Sequence, residues 1–164
     1  MKKIYLIFVL FFVSFLPNGG LESQVKTNTQ VTYENLYQEI ITTGIKFPEI
    51  VFAQAVLETG HFNSELFHTA NNLFGMKVPK KRKTLSISEE KRGFAVFEDW
   101  TFSVKDYLLW QEYVLRNKKI ENNSQYFKLL DKIYAKNKNY SKSLLKIIGN
   151  FDYIFKIESK QLPE

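Results

Sequence analysis

The sequence predicts a mainly α (α+β) domain with a small β-hairpin lobe, and three observations lead there. Apolar residues recur at helical spacing through most of the stretch from Tyr33 to Ile157. Period-two alternation is confined to residues 84–97. At 164 residues and 45% hydrophobic, the chain suits one domain with a real core.

Taken in order, the N-terminus comes first. Lys2 and Lys3 precede an uncharged apolar run, Ile4 to Leu16, too short to span a bilayer comfortably. The run reads as the core of a secretory signal over residues 1–20, closed by Pro17-Asn18-Gly19-Gly20. No Ala-x-Ala site marks a cleavage point, and retention as an anchor is the alternative. Residues 21–31 are polar and aperiodic, and are expected to form a disordered lead-in.

Tyr33 to Gly44 reads as the first helix, with Thr32 as N-cap and Gly44 at its end. Phe47-Pro48 starts the second, with Pro48 at the first helical position. From Ile50 to Leu57 this helix is apolar nearly all round, the mark of a buried helix. Gln54 and Glu58 are its polar exceptions, spaced i, i+4 and therefore on one face. Residues 61–73 read as loop and short helical turns. Thr84 to Ser88 alternates like a strand, and Gly93 to Phe97 is its expected partner. Helices resume at Thr101 to Asn117, then from a Ser124 cap to about Tyr134, with Phe127, Leu130, Ile133 and Tyr134 on one face. The last begins at Ser141, with Gly149 a potential interruption before Phe151 to Ile157.

Composition narrows the chemistry. Cysteine is absent, which excludes disulfides, thiolate nucleophiles and a lipoprotein anchor. Fifteen Phe and nine Tyr are enough for a core plus a surface on which rings can stack. Without residues 1–20, which carry two lysines and no acid, the net charge falls from +6 to +4. A mild positive charge suits an acidic polymer or surface as partner.

Glu58 is the most informative residue. It ends an apolar helix and is followed at once by the Thr59-Gly60 break. Apolar surroundings and the negative end of the helix dipole both disfavour its charged form. A carboxyl kept protonated near neutral pH can give its proton to a leaving oxygen. Gly60 ends the helix and would open space for substrate. The plain alternative is a solvated helix-end residue.

Gln54-Ala55-Val56-Leu57-Glu58-Thr59-Gly60, Ser64, and Asn71-Asn72-Leu73-Phe74-Gly75-Met76-Lys77 resemble the glucosaminidase domain of glycoside hydrolase family 73. The resemblance continues through Gly93 to Phe97, Trp100, Ser103-Val104 and Asp106-Tyr107, and ends at Tyr134-Ala135 and Tyr140. It spans about residues 33–150, so the domain is set at 32–158. It implies a lysozyme-like fold with a glycan cleft between a helical and a β lobe, and cleavage of peptidoglycan strands after N-acetylglucosamine.

By that resemblance Glu58 is the general acid. The family's second acid lies in the hairpin, where Glu89 and Glu90 are the acids between Glu65 and Glu98; a solvated hairpin tip is the alternative for both. Tyr134 matches a cleft tyrosine that helps hold substrate or water, or else packs in the core. Gln54 and Tyr140 join the expected substrate-binding set. Asn72 is a candidate to bond a sugar acetamide, and Phe74 to stack or pack. Two departures stand out. His61-Phe62 follows Gly60 where many members carry Trp-Gly, and Pro79-Lys80-Lys81-Arg82-Lys83 makes the hairpin unusually basic.

Other signals are weaker. Behind a secretory signal the basic run does not read as a nucleic-acid patch; a solvated hairpin or contact with an acidic wall polymer suits it better. Glu58-x-x-His61 with His68 invites a metal, but Gly60 breaks the helix between the ligands. The expectation is thus an exported hydrolase, in the periplasm, envelope or outside the cell, working as a monomer without cofactor or metal. It has no nucleic-acid partner and no stable membrane insertion once the signal is removed. A lytic transglycosylase on the same fold and a non-catalytic glycan-binding or assembly module are the rivals.

Overall fold

Local capping chemistry sets most element boundaries in this computed structural model, which describes residues 30–133 and 139–152. The expected signal segment, most of the lead-in, Tyr134 and residues 153–164 lie outside the described residues.

Helix α1 spans Tyr33–Thr43. Thr32 closes a reciprocal capping box: its hydroxyl accepts from the Asn35 N–H at 3.1 Å, and Asn35 Oδ1 accepts from the Thr32 N–H at 2.7 Å. Gly44 ends it at φ +79, a conformation that favours glycine. Helix α2 spans Pro48–Glu58, with Pro48 in the first turn as the sequence predicts. Every residue from Ile50 to Val56 is buried. The helix packs against α1 and, most extensively, α6 (Tyr140–Gly149), so it is the axis of the core.

Helix α3, Glu65–Ala70, gives form to the short helical turns expected after Gly60, and the Ser64 hydroxyl caps it by accepting from the Phe67 N–H. Helix α4 runs Trp100–Leu115 behind an Asp99 cap. Helix α5 runs Asn123–Ile133. Its first turn is held by Asn122, whose carboxamide oxygen accepts from the Gln125 N–H at 3.0 Å, and not by Ser124. Its buried face is Tyr126, Leu129 and Leu130, whereas Ile133 is exposed and Phe127 only partly buried. The face rotates because the Tyr126 ring stacks on Phe47 and its hydroxyl enters a buried hydrogen-bond chain.

The β lobe is smaller than the alternation suggests. Strands β1, Ser88–Glu89, and β2, Ala95–Val96, pair antiparallel with Ser88 opposite Val96 and Glu89 opposite Ala95. A bridge between Lys77 and Phe94 adds a third edge. Residues 84–86 stay out of the ladder because side chains take their N–H groups. The Leu85 N–H goes to the Asp106 carboxylate and the Ser86 N–H to the Thr84 hydroxyl, and only from Ile87, whose N–H reaches the Val96 carbonyl, does the chain bond across the hairpin. Among the described residues no helix is long and apolar enough to cross a membrane.

Candidate active site

Three segments converge on Glu58: the end of α2, the loop 71–77 and the start of α6. Behind the acid, the chain turns sharply. Thr59 is fully buried; its hydroxyl donates to the Ala55 carbonyl at 2.7 Å and accepts from the Phe62 N–H at 3.0 Å. Gly60, His61 and Phe62 then follow at φ +55, +59 and +66. Two consecutive non-glycine residues in the left-handed region carry strain. The bonds to Thr59 hold them there, and so fix where α2 stops and where its last carboxyl points.

The loop facing the acid is tied down as firmly. Asn71 ends α3 at φ +53, and its amide donates to the carbonyls of Phe97 and Glu98. Asn72 is 1% exposed. Its amide donates to the carbonyls of Met76 and Ala95, both at 2.8 Å, and its oxygen accepts from the Met76 N–H at 3.0 Å. The Leu73 N–H donates to the buried Ser103 hydroxyl. Asn72 therefore joins the loop to β2 and does not present its amide to a sugar. Phe74 is buried as well, its ring centroid 4.4 Å from that of Tyr107, so it packs and does not stack on a ligand. Together these contacts deliver Gly75 to Glu58: a side-chain carbon added at Gly75 would lie 3.9 Å from Glu58 Oε2. Asn72→Ala takes the side-chain partner from the Met76 N–H and the Ala95 carbonyl, while the Met76 carbonyl keeps the Ala95 N–H, and is expected to cost about 2 kcal/mol in chemical denaturation.

Glu58 is open to solvent on one side and crowded by protein on the other. Burial among its neighbours raises its carboxyl above the ordinary carboxylate value; a hydrogen bond from Tyr140 works against that rise without cancelling it. The Tyr140 hydroxyl donates to Glu58 Oε1 at 2.8 Å, and accepts from Gln54 Nε2 at 3.1 Å. Gln54 is fully buried and Tyr140 is 6% exposed, so both stand behind the acid rather than in the open cleft. The i, i+4 pairing of Gln54 and Glu58 on one face of α2 holds, with Tyr140 placed between their side chains.

The two hairpin acids separate. Glu90 is occupied: it accepts from the N–H groups of Arg92 and Phe94, and pairs with the Arg92 guanidinium at 3.1 Å. Slight burial works to raise its carboxyl, but the Phe94 and Arg92 hydrogen bonds outweigh this and hold it below the usual carboxylate range. Glu89, one residue earlier on β1, is exposed, and its carboxylate forms no hydrogen bond or ion pair with the described residues. A carbon added at Gly93 (φ +85) would lie 3.1 Å from Glu89 Oε1, so the carboxylate lies over the one hairpin residue with room beneath it.

Two further features emerge that pattern reading does not separate. Within the basic run, Arg82 is buried and forms a two-pronged ion pair with Asp106, while Lys80, Lys81 and Lys83 stay exposed. Beyond the turn after Glu58, a cavity of about 550 Å³ is lined by His61, Phe62, His68, Asn71 and Trp100 among others, and Glu58 is not in its walls. His61 there shares a 2.8 Å hydrogen bond with the Tyr33 hydroxyl.

The family model for glucosaminidase, described as mannosyl-glycoprotein endo-beta-N-acetylglucosaminidase, matches residues 27–153. No curated protein matches the chain. Among solved structures, the catalytic domain of the autolysin Auto from Listeria monocytogenes is similar, with a TM-score of 0.54 and 20% identity over 77% of this chain and 85% of that one. At that identity the likeness establishes the fold, which agrees with the expected helical domain and small hairpin.

Proposed function

Because the chain belongs to the glucosaminidase family, we propose that it is a glycoside hydrolase acting on bacterial peptidoglycan, with Glu58 as general acid. The carrying observation is the state of Glu58. It is solvent-accessible, raised above its ordinary value by burial, and faces a glycine where a substrate oxygen can approach. A protonated carboxyl there gives its proton to the leaving glycosidic oxygen as the bond to the anomeric carbon breaks. The bond cut is the β-1,4 linkage after N-acetylglucosamine, a reading whose β-N-acetylglucosaminide part the family's name supports. The autolysin likeness supports a wall glycan as substrate and an exported protein as the agent. Glu89 is the better second acid, since Glu90 is consumed by the turn that it caps.

The test is mass spectrometry of purified peptidoglycan after incubation with the protein. Fragments ending in reducing N-acetylglucosamine are expected. Anhydro-muramic ends would replace hydrolysis with transglycosylation. Binding to the wall without any fragment would make this a non-catalytic glycan-binding module.

A further inference from the structure

The hydrogen bond to Glu58 is the end of a longer chain. Gln111 on α4 anchors it, exchanging two bonds with the backbone of Lys46: its amide donates to the Lys46 carbonyl at 2.9 Å and its oxygen accepts from the Lys46 N–H at 2.8 Å. Its remaining amide hydrogen goes to the Tyr126 hydroxyl at 2.9 Å. The Tyr107 hydroxyl donates to Gln54 Oε1 at 2.5 Å and lies 2.8 Å from that of Tyr126. A hydroxyl has one hydrogen, so Tyr126 must donate to Tyr107. Gln54 then donates to Tyr140, and Tyr140 to Glu58 Oε1. Every link points the same way, from Gln111 through Tyr126, Tyr107, Gln54 and Tyr140 to the acid. Gln111, Tyr126, Tyr107 and Gln54 are buried to within 2% exposure.

We propose that Tyr140, oriented by Gln54, is a positioning residue that reserves Oε1 of Glu58 as a hydrogen-bond acceptor and so places the transferable proton on Oε2, the oxygen facing Gly75. The reasoning is directional. An oxygen that accepts the Tyr140 hydrogen is the poorer place for a carboxyl proton, and the other oxygen is the one beside the glycine. Aligned bonds of this kind polarise one another, which stiffens the arrangement. The chain holds the acid and does not conduct protons. Gln54 interrupts it with an amide, and burial pushes the Tyr126 hydroxyl up to about 12 and Tyr140 higher still, so both stay protonated donors.

Other titratable groups on elements packed against α2 face elsewhere. From α1, Tyr33 bonds His61 and Tyr37 bonds Glu49. From α6, Lys142 and Lys146 are exposed. Tyr140 is thus the titratable side chain in contact with Glu58 among the described residues.

The inference rests on Glu58 being the acid, and its test separates the two. In Tyr140→Phe, the charged form of Glu58 loses the donor that favours it. A general acid works only while protonated, so the alkaline limb of the rate profile should move to higher pH. At the optimum kcat should fall roughly tenfold, the scale of one hydrogen bond, with KM little changed. The Glu58 carboxyl is also titrated directly by carbon NMR, its signal assigned by its absence in Glu58→Gln. An upward shift of that midpoint supports the network whether or not the protein cuts glycan. A midpoint unmoved in folded Tyr140→Phe overturns it, as does a change in KM alone. If Tyr140→Phe does not fold, Gln54→Met removes the group that aims the tyrosine; a midpoint unmoved there is equally fatal.

Discussion

Glu58→Gln is expected to lower glycan cleavage about 10³-fold, within the span that a positioned general acid supplies, while the fold survives. Glutamine keeps an oxygen for the Tyr140 hydroxyl, and its amide occupies the place of Oε2 beside Gly75. What is lost is the proton. Stability gives an independent readout. Folding raises the Glu58 carboxyl, so between the ordinary value of 4.5 and the raised one the folded state holds a proton that the unfolded state has released. Stability from this group therefore falls as pH rises through that window, and the loss is complete above the folded value. Glu58→Gln removes the loss. Its melting temperature relative to wild type should be pH-independent well below 4.5 and should gain as pH rises above it. Calorimetry from pH 4 to 8 tests the sign. Full retained cleavage by the variant would remove Glu58 from the mechanism.

What the sequence made legible, and what it hid, follows from the range of the interactions involved. Helix α2, its proline start and its terminal acid rest on residues within a turn or two of one another. The same holds for the Thr32 cap and the Gly44 stop, and these were readable as patterns. The chain behind Glu58 was not. Gln54 meets Tyr140 across 86 positions and Lys46 meets Gln111 across 65, and no local periodicity encodes such pairings. Asn72 misleads for a related reason. A polar residue in a motif facing a cleft suggests contact with sugar, yet the Met76 N–H and the Ala95 carbonyl needed partners inside the protein. Glu89 and Glu90 are indistinguishable as neighbours in a row; the turn at Gly93 separates them by occupying Glu90 alone. The hairpin shrank because side chains from α4 and from its own loop intercepted backbone groups that alternation assigned to a ladder.

Arg82→Met should destabilise the fold by about 3–5 kcal/mol, because it strands a charge. The Asp106 side chain is 0% exposed and that of Arg82 is 7%. The two guanidinium nitrogens donate to the two carboxylate oxygens at 3.1 and 2.7 Å, and Oδ1 accepts a further bond from the Leu85 N–H at 2.9 Å. With the arginine gone, a carboxylate remains in a place that water does not reach, and melting should drop by about 10 °C. Replacing both partners, Arg82→Met with Asp106→Leu, should recover most of the loss, since the desolvation cost of each charge disappears along with their attraction. A double-mutant cycle in urea measures the difference. Equal losses in the single and double variants would show that the pair contributes packing rather than charge. The bond also bears on the site. It fastens the segment leading into β1 to helix α4, and β1 carries Glu89. Even in the double variant, which is expected to fold, the hairpin loses its directional tie to α4. Cleavage should therefore fall further than stability does if Glu89 is the second carboxylate as proposed, because β1 follows the segment this ion pair secures.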